Sequence, residues 1–412
     1  MFSKNNRLTL WILLAMVLGI GVGYLYHTNV TDEARLKSFA DTLSILTDIF
    51  LRLVKMIIAP LVFSTLVVGI AKLGDLKTVG RVGGRALGWF ITASLVSLVL
   101  GMVLVNVLKP GVGLQLEMPE GSAQDIIGKT QSFSLRNFVA HLFPSSVVEA
   151  MATNEVLQIV VFSIFFGVAC AAIGDYATPV VKFLEAVSHV ILKMVGYVMN
   201  FAPLGVFGAI AAVIAVRGLG VLGTYAVYIS QFYLGLAILW ILLIGVGWIF
   251  LGARIKELLR RIVQPITIAF STTSSEAVMP KLMEELERFG CKDRVVSFVL
   301  PLGYSFNLDG SMMYMTFASL FIAQVYGIHM DFGTQMTMLL TLMLTSKGIA
   351  GVPRASLVVV AATLGMFGIP IEGIALILPI DHFCDMGRSA TNVVGNAIAT
   401  SVVSKWEGDL GK

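Results

Sequence analysis

Charge is in short supply in this sequence: Asp, Glu, Lys and Arg make up 13% of 412 residues, against about 25% in a soluble domain. Hydrophobic residues make up 57%. Together the two figures exclude an ordinary soluble globule and point to an all-α polytopic membrane protein. The net charge of +4 is small and sets up no field for nucleic acid. Cysteine is equally scarce. Cys170, Cys291 and Cys384 stand far apart, which leaves no disulfide framework and no metal spacing; they read as small apolar residues. Only five histidines occur. None stands in dyad position with a nucleophile, and no nucleophile-elbow spacing appears. An intramembrane hydrolase built on Ser274 and Ser275, or on Asp309 and Asp385, is the reading these absences count against. The chain is expected not to be an enzyme, and no cofactor or metal site is expected. No small-x-small site closes the first apolar run, which is therefore taken as a span rather than a cleaved signal.

Long apolar runs are what the chain does have. They cover roughly 8–26, 45–71, 86–108, 156–174, 180–214 and 221–252, each long enough to cross with some tilt. The run 180–214 holds Pro203 and should break there. Gly19, Gly21 and Gly23 suggest close helix contacts rather than a phosphate loop. Basic residues cluster at the N-terminus (Lys4, Arg7), in a loop expected after the second run (Lys72, Lys77, Arg81, Arg85) and in a loop expected after the sixth (Arg254, Lys256, Arg260, Arg261). They fall on one side if each run between them crosses once, and that side is the cytoplasm.

Four less regular segments follow, 263–287, 295–327, 334–368 and 371–404, and they form two pairs. The first opens with Ser271-Thr272-Thr273-Ser274-Ser275-Glu276 and reaches Pro280; the second opens with Thr345-Ser346-Lys347-Gly348-Ile349-Ala350-Gly351-Val352-Pro353. Each hydroxyl- or glycine-rich tip precedes an apolar arm and then a helix with carboxylates inside it. Interrupted apolar segments at matching places in two halves point to a transporter binding site. A re-entrant hairpin accommodates both the apolarity and the interruption, provided its tip is buried or lines a cavity.

Within 371–404, Asp381, Asp385, Arg388, Asn392 and Asn396 recur at steps of four, three, four and four, one stripe along a helix face. A charge at mid-bilayer costs about 2.5–3.5 kcal/mol on insertion scales, so the stripe must face protein or a wet cavity. The guanidinium of Arg388 can hold a carboxylate with two hydrogen bonds. Asp385, one turn earlier, can accept from an ammonium group. Asn392 offers a neutral donor, and the N–H groups of a broken helix at Ser274-Ser275 add anion capacity. An acidic amino acid fits that set; a plain C4-dicarboxylate is the alternative, which has no amino group for Asp385 to bind. The alternative is an internal Asp385–Arg388 salt bridge that holds the helix in its bundle. Asn307-Leu308-Asp309-Gly310-Ser311 places an amide, a carboxylate and a hydroxyl around a Gly, which would loosen the helix and free carbonyls for a cation.

The four ordered motifs, with Asp385-Met386-Gly387-Arg388-Ser389 and Asn392 as the last, resemble those of the dicarboxylate/amino acid:cation symporters, the glutamate transporter homologues, and most closely the bacterial proton-coupled glutamate/aspartate members. The resemblance implies eight transmembrane helices plus two re-entrant helical hairpins, arranged as inverted repeats in a homotrimer with an elevator mechanism. It implies a scaffold of residues 1–75 and 111–217 and a transport domain of residues 76–110 and 218–412. Arg388 would hold the substrate side-chain carboxylate with help from Ser311, and Asp385 the amino group. Asn392 and the backbone at Ser275 would take the α-carboxylate, while Gly351 and Val352 would close a gate and Asp381 would support the site from behind. Gly303, Asn307 and Asp309 would be cation positions.

Departures from the family pattern concern coupling. Asn396 stands where sodium-coupled members carry an Asp, and Phe90 and Ala93 where they use Tyr and Thr. Both changes point to protons, with sodium as the alternative. Met315 stands where animal members carry a protonatable Glu, so Glu276 is the candidate proton carrier, with Asp309 next. A helix-N-terminal acid is the structural alternative for Glu276. The expected partners are an acidic amino acid, H+ or Na+, membrane lipid and further copies of the chain. The expected location is a bacterial cytoplasmic membrane, with both termini inside.

Overall fold

The computed structural model describes residues 4–73, 76–112, 143–219, 225–346, 355–378 and 380–411, and they are almost wholly helical. Three long helices come first, α1 (Lys4–Asn29), α2 (Glu33–Leu73) and α3 (Leu76–Leu108). Then come α4 (Val147–Ala152), α5 (Val156–Ile173), α6 (Thr178–Val198) and α7 (Ala202–Arg217). A single 3-10 turn, Met199–Phe201, separates α6 from α7. Pro203 lies in the first turn of α7, where its missing N–H has no intrahelical partner to lose. The break expected in the run 180–214 is therefore real.

The second half contains α8 (Ala226–Leu251), α9 (Ile255–Thr272), α10 (Met279–Phe289), α11 (Asp293–Phe306) and α12 (Asp309–Val325). It closes with α13 (Phe332–Thr345), α14 (Ala355–Met366), the short α15 (Ile374–Ile377) and α16 (Asp381–Trp406). Five stretches of the described residues are long and apolar enough to cross a membrane: Leu10–Asn29, Glu33–Ala71, Lys77–Leu108, Val156–Arg217 and Ala226–Thr272. The fourth of them holds α5, α6 and α7.

The basic segments are helical, not loops. Lys77, Arg81 and Arg85 lie in the first turns of α3, and Lys256, Arg260 and Arg261 in those of α9. Amphipathicity explains α9. Leu258 and Ile262 are buried while Lys256 and Arg260 are exposed, and Arg261 pairs with Glu257 at 2.8 Å one turn back, a spacing that supports a helix.

The helices pack as two groups. α1, α2, α5, α6 and α7 pack mainly with one another, as do α3, α8, α9, α12 and α16, while α11 lies against both groups. The groups meet where α11 lies on α2 and α5, and where α9 lies on α1 and α7. In the first group, a Cβ added at Gly19 or Gly23 of α1 would meet the α7 backbone at Phe207 or Ala211, as the glycine spacing suggested; Gly21 has nothing nearby.

The chain end ties the second group together. Glu407 accepts from Arg81 at 2.9 Å and Arg85 at 2.7 Å. Asp409, with a nearly buried side chain, accepts from Arg294 at 2.5 Å and Lys292 at 2.8 Å. Leu410 bridges to Cys291, and Gly411 N donates to Gly290 O at 2.8 Å. Burial pushes the Asp409 carboxyl up, but hydrogen bonds from Arg294 and Lys292 outweigh it and hold the group below the usual carboxylate range. A carboxyl depressed on folding stabilises the fold above its unfolded value of about 3.9. That stabilisation is lost as pH falls through the lower folded value. The melting temperature in detergent should therefore drop below about pH 4 in the wild type. Asp409→Asn should lose about 1.5–3 kcal/mol at pH 7 and flatten that acid limb.

Candidate substrate and cation site

The stripe on α16 turns inward. Every residue from Met386 to Ser404 is buried, because α8, α9, α11 and α12 surround the helix. Arg388 Nε donates to Asp385 Oδ1 at 2.7 Å, and Ser389 Oγ donates to the same oxygen at 3.1 Å. Arg388 is only 6% exposed, and its Cζ lies 5.1 Å from the centroid of the Tyr314 ring, within cation–π range. Its Nη1 is buried without a hydrogen-bond partner. The Tyr314 hydroxyl donates to Asp381 Oδ1 at 2.7 Å, which supports the wall from behind.

Between α11 and α12 the chain is unwound at Asn307 and Leu308. Gly310 is not the loosened point: it lies in the first turn of α12. Its lack of a side chain has a steric cause instead, since a Cβ there would sit 2.4 Å from Arg388 O. Asn392 caps this helix end. Its Oδ1 accepts from Gly310 N at 2.9 Å and Ser311 N at 3.3 Å, and its Nδ2 donates to Ser311 Oγ at 3.1 Å. These are N–H groups that a helix start leaves without internal partners. One amide hydrogen of Asn392 remains for a ligand.

One turn further along α16, Asn307 Nδ2 lies 3.2 Å from Asp309 Oδ2 and 3.4 Å from Asn396 Oδ1. Gly303 O accepts from Asn307 N at 2.7 Å. Gly303, Asn307, Asp309 and Asn396 therefore come together as the motifs suggested. Asn307 Oδ1, Asn396 Nδ2 and Thr400 Oγ1 are buried without hydrogen-bond partners. A Cβ on Gly395 would lie 1.9 Å from Asp309 Oδ2, so Gly395 is what lets the carboxylate reach α16.

The first tip is a tight turn between α9 and α10. Thr273 adopts a left-handed backbone with φ 54°, Ser274 Oγ accepts from Ala277 N at 3.2 Å, and Ser275 is buried. Glu276 is half-buried at the start of a 3-10 turn. Lys55 of α2 and Glu155 before α5 are the charges that act on it. Gly351 and Val352 lie outside the described residues.

Sequence reasoning missed Tyr314, Gly395 and Thr400. Tyr314 had a usable signal: it follows Ser311 by three, the spacing of one helix face. Gly395 had none, because its neighbour Asp309 is remote in sequence.

A buried guanidinium beside a broken helix of amides and carbonyls offers partners for an anion and for a cation. The model of the sodium:dicarboxylate symporter family matches residues 8–406. Relatives agree over nearly the whole chain. A C4-dicarboxylate transport protein of Agrobacterium fabrum is 40% identical over 97% of this chain and 88% of its own. A proton/sodium-glutamate symport protein of Bacillus caldotenax is 40% identical over 96% and 94%. A C4-dicarboxylate transport protein of Bacillus subtilis is 39% identical over 98% and 94%. The chain belongs to the sodium:dicarboxylate symporter family and is a membrane transporter, not an enzyme.

Gly310→Ala tests the close approach of α12 to α16. The two nearest atoms belong to the Arg388 backbone and cannot swing aside. Overpacking of this kind costs about 1–3 kcal/mol, and the melting temperature in detergent should fall accordingly. Gly80→Ala, at a position with open space, should leave it unchanged apart from helix propensity.

Proposed function

We propose that the protein is a secondary active symporter that imports L-glutamate or L-aspartate with protons. The observation that carries this reading is Arg388, buried with Asp385 one turn away and with Nη1 unpartnered. A substrate carboxylate would occupy that nitrogen, with Ser311 beside it. The substrate ammonium would take over the Asp385 oxygens, and the last hydrogen of Asn392 and the Ser275 backbone would take the α-carboxylate. Gly351 and Val352 would close over the substrate, and Asp381 would hold its place through Tyr314. The cluster of Gly303, Asn307, Asp309 and Asn396 would hold the coupling ion. With an amide rather than a carboxylate at Asn396, that cluster has less charge to balance Na+. Glu276, half-buried between the two helix groups, is the first candidate to carry the proton, and Asp309 the second.

The two packing groups support a scaffold of residues 1–75 and 111–217 and a transport domain of residues 76–110 and 218–412. In this reading eight spans and two re-entrant hairpins assemble as a homotrimer in a bacterial inner membrane. The transport domain slides as an elevator, and both termini are cytoplasmic.

A second reading is a C4-dicarboxylate substrate. Two of the relatives described above carry that name, and one oxygen of Asp385 already accepts from both Arg388 and Ser389. In that case Asp385 would orient the guanidinium rather than bind an amine.

Uptake into proteoliposomes separates these readings. Arg388→Ala should reduce aspartate uptake at least about thirtyfold, the factor equivalent to ~2 kcal/mol for truncating one member of a buried charge pair. Wild-type uptake at the normal rate in that variant would reject the site. An imposed inward proton gradient should drive uptake in sodium-free buffer, and strict sodium dependence would reject proton coupling. Succinate should compete poorly with labelled aspartate; competition equal to that of unlabelled aspartate would favour the dicarboxylate reading.

A further inference from the structure

Away from the substrate wall, a cleft of about 520 Å³ lies between α3 and α8, beside the arginine-bearing first turns of α3. That volume falls within the range of about 300–1,000 Å³ typical of small-molecule sites. Its walls are apolar and include Gly84, Gly88, Leu239, Leu243, Phe250 and Trp406. A Cβ added at Gly84 or Gly88 would meet nothing within 4 Å, so the two glycines open the cleft rather than seat a neighbouring helix. Its floor is aromatic: Trp89, Phe250 and Trp406 pack edge to face with ring centroids 5.2–6.0 Å apart. Val96, Leu242 and Val246 rim the cleft and are well exposed. In a membrane transporter such apolar side chains face acyl chains.

One end of the cleft is cationic. Arg85 lines it and is held there by Nη1, which donates to Trp406 O at 2.5 Å and Glu407 Oε1 at 2.7 Å. Arg81 joins the same carboxylate at 2.9 Å, and Lys405 donates to the carbonyl of Phe250. Two cations thus share one carboxylate, and a third, Lys405, stands on a nearby carbonyl, beside two tryptophans. Trp and Arg or Lys together mark the head-group level of a membrane, and basic side chains there attract anionic lipid.

We propose that this cleft is a binding site for one anionic phospholipid, with an acyl chain along Gly84 and Gly88 and its phosphate beside Arg85. All the lining residues belong to α3, α8 and the end of α16, so the lipid would be held by one helix group alone. Its occupancy is independent of the substrate reading above.

Native mass spectrometry of the full chain in detergent tests the site, with phosphatidylglycerol and phosphatidylcholine titrated separately. One phosphatidylglycerol per chain should bind, at about a tenfold lower concentration than phosphatidylcholine. Gly88→Leu fills the cleft and should abolish that adduct without lowering the melting temperature. Arg85→Gln should equalise the two lipids. If Gly88→Leu fails to fold, Val246→Trp on the facing wall serves the same purpose. Wild-type binding in the filled variants, a preference that survives Arg85→Gln, or no adduct in the wild type would each overturn the site. A change in oligomeric mass in place of adduct loss would mean that the cleft is a contact between copies, and would overturn it as well.

Discussion

Removing a guanidinium and a carboxylate from water and housing them inside a membrane protein is the constraint around which this molecule is arranged. Arg388 and Asp385 meet at 2.7 Å on α16, and neither could sit against acyl chains without a large desolvation cost. The helix that carries them is consequently enclosed by α8, α9, α11 and α12. Enclosure needs close approach, and that is what Gly310 and Gly395 provide on the two facing surfaces. The polar stripe thus dictates where small residues must be, and the small residues set how near the helices come.

The same constraint explains why the site is built from helix ends. An unwound pair of residues, Asn307 and Leu308, exposes backbone groups that a continuous helix would consume. Asn392 satisfies the N–H groups at the start of α12, and Asn307 and Asn396 stand by the other side of the break. Neutral amides suit this role because they satisfy backbone groups without adding another charge to bury. A helix break with such partners offers donors to an anion at one end and oxygens to a cation at the other. In the proposed reading, substrate and coupling ion would share that small volume and stabilise each other across it.

Charge excluded from the interior collects at one end. Arg81, Arg85, Arg254, Lys292 and Arg294 meet the chain end at Glu407, Asp409 and Gly411. These bonds join the starts of α3 and α11 and the α8–α9 junction into one corner. Glu407 and Asp409 are nearly buried, but each is met by two partly exposed cations that offset its desolvation, and the pairs hold helix ends in register.

Much of this was legible in the sequence because helices repeat. A stripe at steps of four and three, a Pro in the first turn of a new helix and hydroxyl-rich tips are all local patterns, set by a few adjacent residues. They located the polar face of α16, a break close to Pro203, and the residues that meet around Asn307 and Arg388, but they put the loosened point at Gly310 rather than at 307–308. Local pattern also misled at α9, where basic residues looked like a loop although Leu258 and Ile262 bury one side of a helix. Only the tertiary structure decided that Tyr314 holds Asp381, that Asn392 caps α12, and that Gly310 and Gly395 are there for clearance. It also brought the chain end onto Arg81 and Arg294. Each of these contacts joins residues some 67 to 326 positions apart. Periodicity says which face of a helix is polar, but the partner of that face is chosen by the packing of distant segments.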